Sequence, residues 1–194
     1  GPVMMEYATD EQKERYLPPM AEGKEIWCQL FSEPSAGSDV AGLRSKAVQD
    51  GENWIVNGQK VWTSGAHFSD FGILVVRHDP SLEKHKGLTF FFVDMKSPGI
   101  EVKPIKQLTG GSSFNEVYFN DVVIPDSQRL GEIGDGWKVA ITTLMNERLA
   151  VGDADGVDAN EAFELAKKHD KDGEQLIDNN AVRESIADWY CEAS

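Results

Sequence analysis

The sequence is poor in cysteine and in positive charge. Only two of its 194 residues are cysteines. Cys28 and Cys191 lie far apart at no metal-ligand spacing, which argues against a disulfide-stapled secreted scaffold and fits a reducing compartment. Nineteen Lys and Arg stand against 33 Asp and Glu, a formal net charge of −14. No basic stripe is left for a phosphate backbone, so nucleic-acid binding is not expected. No apolar run approaches the ~18 residues of a membrane span, and a soluble interior protein is the expectation. His67, His78, His85 and His169 share no ligand spacing, and residues 153–158 lack the pattern of a calcium loop. No metal is expected, and a polar linker is expected at 153–158. Internal repeats and low-complexity tracts are also missing.

What is present changes character along the chain. From Val151 onward twelve acidic residues meet four basic ones, a composition shift that suggests a boundary near position 150. Both ends read as cuts, since the chain opens at Gly1-Pro2-Val3-Met4 and stops just after a helical pattern with no stop signal. Thr9 and Gln12 form a capping-box pattern that opens a short helix, which Pro18-Pro19 is expected to end. Short strand candidates follow at 26–31, 72–77, 88–94, 100–105 and 116–119, with Val122-Val123-Ile124 beyond. Asp50-Gly51 and Asn57-Gly58 both read as hairpin turns. So many short strands without a helical pattern between them predict an all-β barrel or sandwich. The period then becomes 3.6, with Trp137, Ile141, Leu144, Met145 and Leu149 on one face. Further helices are predicted at 159–168 and 177–190. The fold class is α+β: an antiparallel β-barrel at 26–130, after a helical tail at 1–25 and before a truncated helical domain at 131–194.

Two motifs could carry chemistry. The loop Ser32-Glu33-Pro34-Ser35-Ala36-Gly37-Ser38-Asp39-Val40-Ala41-Gly42 follows a strand directly, and its hydroxyls and backbone N–H groups could cradle a pyrophosphate or form an ordinary turn. The run Asn57-Gly58-Gln59-Lys60-Val61-Trp62-Thr63-Ser64-Gly65 places an aromatic before hydroxyls. It could lay an indole against a planar ring, or Trp62 could be a core residue.

Taken together with Gly87-Leu88-Thr89-Phe90-Phe91-Phe92-Val93, Gly110-Gly111-Ser112-Ser113-Phe114-Asn115-Glu116-Val117, Leu130-Gly131-Glu132 and Gly134-Asp135-Gly136-Trp137, the pair resembles the acyl-CoA dehydrogenase family. The resemblance is collinear from about Asp10 to Ala150. It implies a tetrameric or dimeric flavoprotein that desaturates an acyl-CoA thioester with FAD and passes electrons to an electron-transfer flavoprotein, in a bacterial cytoplasm or a mitochondrial matrix. By family position Gln29, Phe31 and Ser32 would line the flavin and Ser38 would meet its pyrophosphate. Trp62 would pack on the ring and Ser64 would bond near N5. Ser38, Ser112 and Arg148 would lie on the substrate side. Ser35 departs from the glycine common at its position.

The reaction needs a carboxylate to take the α-proton as the β-hydrogen leaves as hydride. Most of the family supplies it from far downstream. A subgroup places it on the first helix after the barrel, directly before an arginine, and here that helix reads Leu144-Met145-Asn146-Glu147-Arg148-Leu149. Glu147 is therefore the candidate base, against the alternative of a solvated Glu-Arg pair. An acyl-CoA oxidase of the same fold and a non-catalytic β-barrel binding module are the competing functions. The isolated chain is expected to be inactive.

Overall fold

The computed structural model describes residues 1–152, 159–168, 170–171 and 173–193. The linker expected at 153–158 and His169 lie outside the described residues. Two compact units divide the chain, residues 1–147 and 148–194.

The first unit is built on a seven-stranded sheet that curls into a half-barrel. Its strands are β1 (Trp27–Leu30), β2 (Lys46–Asp50), β3 (Asn53–Ser64), β4 (Phe71–Arg77), β5 (Leu88–Asp94), β6 (Ile100–Pro104) and β7 (Phe114–Pro125). They run in the order β1-β4-β2-β3-β7-β6, with β5 also on β4. The sheet is mixed and open, where an antiparallel barrel was expected. β1 pairs parallel to β4, Trp27 opposite Phe71, and β2 meets β4 in parallel at Lys46–Arg77. The cause is the long excursion between β1 and β4. The chain leaves through the 32–42 loop, makes the β2–β3 hairpin, and returns to β1 in the same direction, which a tight turn cannot do.

Asp50-Gly51 is the turn its sequence predicts: Asp50 pairs with Asn53 and Gly51 takes φ +60°. Asn57-Gly58 is not a turn but a bulge inside the twelve residues of β3. β2 stops pairing at Asn57, and a Cβ on Gly58 would collide with Ser45. Across the gap Asp121 of β7 takes φ +49°. The Asn57 side chain closes both irregularities, donating to the Asp121 carboxylate at 2.9 Å and accepting the Asp121 N–H at 3.0 Å. The stretches expected as separate strands at 116–119 and 122–124 are thus one bent strand.

β5 explains how the sheet buries two faces. Leu88, Phe90 and Phe92 point to a cluster completed by Met4, Tyr16 and Val139, while Phe91 and Val93 point to a second with Trp54, Val117 and Phe119. All six residues from Leu88 to Val93 are buried, and each large apolar side chain contributes about 1.5–3 kcal/mol.

The helical face of this sheet carries α1 (Pro2–Tyr7), α2 (Asp10–Ala21) and α3 (Gly136–Gly152). The capping box of α2 forms, Gln12 N–H donating to Thr9 Oγ1 and Thr9 N–H to Gln12 Oε1. The same Gln12 amide donates to the carbonyls of Ser127 and Arg129, so a local cap also pins the segment leading to α3. Pro18-Pro19 was expected to end α2, yet the helix continues to Ala21. The two prolines remove donors only from the carbonyls of Glu14 and Arg15, both solvent-exposed residues, and their own carbonyls still accept bonds in the final turn.

In the second unit α4 (Ala159–Lys168) precedes the short hairpin β8 (Asp170–Lys171) and β9 (Glu174–Gln175), and α5 (Asn180–Ala193) follows. Phe163, Leu165 and Tyr190 are exposed there.

Docking of α3 depends on Gly136, where a Cβ would stand 2.5 Å from the backbone of Leu88 and Thr89. Backbone cannot yield as a side chain can. Gly136→Ala is expected to lower stability by about 1–3 kcal/mol in urea unfolding. An unchanged midpoint would contradict the close approach.

Candidate functional site

The candidate site begins where β1 gives way to the 32–42 loop. Glu33 and Ala36 exchange backbone hydrogen bonds of 2.8 and 3.0 Å, which tightens the start of the loop. The Glu33 carboxylate then accepts the N–H groups of Arg44 (2.6 Å) and Ser45 (3.0 Å), fastening the start to the end. Arg77 holds the same end through the carbonyls of Ala41 and Leu43.

The third partner of Glu33 is Lys60, at 2.9 Å. This lysine has no solvent exposure. Its ammonium donates to Glu33 Oε1 and to the Phe31 carbonyl at 3.0 Å. Burial pushes its pKa down to about 8, against the opposing pull of Glu33. Burial alone would raise Glu33, but Lys60 and the hydrogen-bond donors around it hold its carboxyl below the usual range. The 2.9 Å contact and the further donors and acceptors around both groups fit an ion pair.

Directly after Lys60 the β3–β7 register slips. Val61 donates its N–H to the Ser32 carbonyl at 2.8 Å. Trp62 is forced to φ +60°, a left-handed conformation unusual for a bulky residue. Trp62 is 59% exposed, and its ring meets Phe114 edge-on at 6.1 Å. Beyond the bulge Thr63 points inward and Ser64 outward. Asn115 fixes this stretch by donating to the Thr63 carbonyl at 2.9 Å, and its own Oδ1 meets His67 at 3.1 Å.

The helix contribution comes from α3. Val139 and Ala140 are fully buried, and Thr142 meets the Tyr7 hydroxyl at 2.9 Å. Near the end of this anchored stretch Gln29 of β1 donates its amide to Glu147 Oε2 at 3.2 Å.

The sequence-predicted residues thus fall into groups. Gln29 and Glu147 touch, and Ser32 is bonded to the residue before Trp62, with Ser64 two residues beyond. Ser38 is exposed on the same loop as Ser32. Phe31 turns its ring into the core, 3% exposed against Phe90, so only its backbone faces the site. Ser112 is exposed in the β6–β7 loop and shares no hydrogen bond with the other candidates among the described residues. Arg148 is exposed and opens the second unit. Lys60 and Glu33 are the residues the motif reading passed over. The signal was available, because alternation from Trp54 and Val56 puts Lys60 on the inward face of the strand.

The donor set suits a flavin. An exposed indole, a hydroxyl two residues on, and a second hydroxyl-bearing loop bonded to the residue before the indole are groups that a planar ring with a polar edge could use.

Comparison with known proteins points to one family. A family model for the acyl-CoA dehydrogenase middle domain matches residues 28–122, and one for the C-terminal domain matches residues 134–194. The chain is 51% identical over 151 residues to the acyl-CoA dehydrogenase FadE34 of Mycobacterium tuberculosis, covering 78% of this chain and 21% of that protein. Among solved structures it resembles the ChsE4–ChsE5 complex of the same organism, with 36% identity, TM-score 0.85, and 99% of this chain on 50% of that one. It also resembles an acyl-CoA dehydrogenase from Geobacillus kaustophilus, with 29% identity, TM-score 0.89, and 98% on 52%. The chain spans 21% of the length of the curated relative FadE34 and about half of others, such as FadE26 of Mycobacterium tuberculosis at 50%.

Two outcomes follow from the geometry. Trp62→Gly should leave stability unchanged or raise it by up to about 1 kcal/mol, since glycine accepts the left-handed backbone and little indole burial is lost. A loss well beyond that in chemical denaturation would contradict the strain. Because the folded Glu33 pKa lies below its ordinary 4.5, its stabilisation is present above that value and drains away as the pH falls through the folded pKa. Unfolding midpoints taken from about pH 5 to 3 should fall more steeply in the parent than in Lys60→Met/Glu33→Leu. Equal slopes would count against the assignment.

Proposed function

The chain belongs to the acyl-CoA dehydrogenase family, and from that premise we propose that, within a polypeptide of its relatives' length, it desaturates an acyl-CoA thioester between the α and β carbons, with Glu147 as the base. The observation that carries the reading is the Gln29–Glu147 contact, which turns the Glu147 carboxylate to β1, the strand that leads into the Ser32 loop. A carboxylate meant only for solvent or for Arg148 has no need of that partner.

FAD, when bound, supplies the hydride acceptor. Trp62 would offer its exposed indole to the ring, Ser64 and Ser32 would bond its polar edge, and the loop with Ser38 would meet the phosphates. Glu147 would take the α-proton while the β-hydrogen departs with its electron pair, leaving the new double bond. A thioester α-proton is weakly acidic, so the base works best in a water-poor pocket. Glu147 is exposed in this chain, and the acyl-CoA together with further protein would have to cover it. Ser38, Ser112 and Arg148 are the substrate-side candidates. An electron-transfer flavoprotein as acceptor and a homo-oligomeric assembly complete the proposal.

In the full-length protein Glu147→Gln should retain FAD and bind acyl-CoA, yet slow the anaerobic bleaching of flavin absorbance by about 10²-fold or more, the usual contribution of a general base. Near-normal bleaching in a stopped-flow trace would return the role of base to another carboxylate.

A further inference from the structure

Ser32 and Trp62 belong to different elements, and the proposed cofactor face exists only while they stay together. Three consecutive residues directly after β1 are tied to two consecutive residues of β3. The Phe31 carbonyl accepts from Lys60, the Ser32 carbonyl accepts from Val61 N–H, and the Glu33 carboxylate accepts from Lys60. Trp62 follows at once, in its left-handed conformation.

The geometry points to Lys60 and Glu33 as positioning residues of the flavin site, which set the spacing of Ser32 and Trp62 and impose the backbone of Trp62 without touching the cofactor. This rests on the flavin reading above. Stability alone is a poor reason for the pair. Two charges taken out of water seldom outperform apolar residues of the same volume, and replacing such pairs by packed hydrophobics is often neutral or favourable. Two apolar clusters already hold the sheet. A buried ion pair does supply direction: an ammonium with two fixed acceptors, and a carboxylate with three fixed donors, fix a loop relative to a strand as side-chain packing does not.

The test uses the full-length protein stripped of FAD, with FAD affinity measured by quenching of flavin fluorescence and the bound state by visible circular dichroism. Lys60→Met/Glu33→Leu should unfold cooperatively within a few degrees of the parent, bind FAD about tenfold or more weaker, a change of about 1.4 kcal/mol, and show an altered flavin dichroism. Glu33→Gln, which keeps the shape and an acceptor, should weaken FAD about threefold with the same sense of spectral change. Val122→Ala, a core truncation in the sheet cluster, should lower the melting temperature and leave affinity and dichroism as they were. A folded double variant with parental affinity and dichroism would overturn the proposal. So would losses in affinity that merely track melting temperature across all three variants. Should the double variant not fold, parental values in Glu33→Gln would overturn it equally. A parent that binds no FAD would remove the flavin reading itself, and the positioning role with it.

Discussion

A lysine ammonium without solvent exposure must be met by a carboxylate, and that requirement at Lys60 organises the region around it. Glu33 can reach Lys60 only if the chain after β1 folds back on itself, and it does so through the Glu33–Ala36 bridge and the N–H groups of Arg44 and Ser45. The same reach brings the Phe31 carbonyl to Lys60 and the Ser32 carbonyl to the Val61 N–H of β3, where the register with β7 slips. The bulge and the left-handed Trp62 are then consequences. Removing one partner of such a pair would leave a buried charge, at a cost of about 3–5 kcal/mol.

The rest of the fold supplies a rigid base for that knot. β5 lies between two apolar clusters and is buried on both faces, so the sheet cannot shift against the helices without breaking one of them. α3 is welded to the start of β5 through the Gly136 contact and reaches β1 through Glu147 and Gln29. One sheet thus carries both the loop-strand knot and the helix that bears the candidate base.

Much of this was legible in the sequence where the signal is local. The alternation and turn chemistry of β2 and β3, the Thr9-Gln12 cap and the helical period after Gly136 all depend on neighbours within a few residues. Signals that depend on distant partners were misread. Asn57-Gly58 carries hairpin chemistry, but its glycine serves the approach of Ser45 and its asparagine closes the Asp121 bulge. Pro18-Pro19 reads as a stop, but solvent access near a helix end makes the lost donors tolerable. The parallel β1–β4 pairing has no local signature, because only the path of the intervening chain decides it. For the candidate site, Trp62 and Ser64 lie on the exposed side of β3 and Phe31 belongs to the core, while the buried Lys60–Glu33 pair had no motif to announce it.

In the proposed function one face, formed by Ser32, Trp62 and Ser64, receives the flavin while Glu147 addresses the thioester from α3. A crystal structure of the full-length protein with FAD and an unreactive acyl-CoA thioether tests it most directly. The Trp62 indole is expected in van der Waals contact with the isoalloxazine and a Glu147 carboxylate oxygen about 3–3.5 Å from the carbon that stands for the α-position, the separation of a near-attack geometry. A flavin seated away from Trp62, or another carboxylate at that carbon, would contradict it.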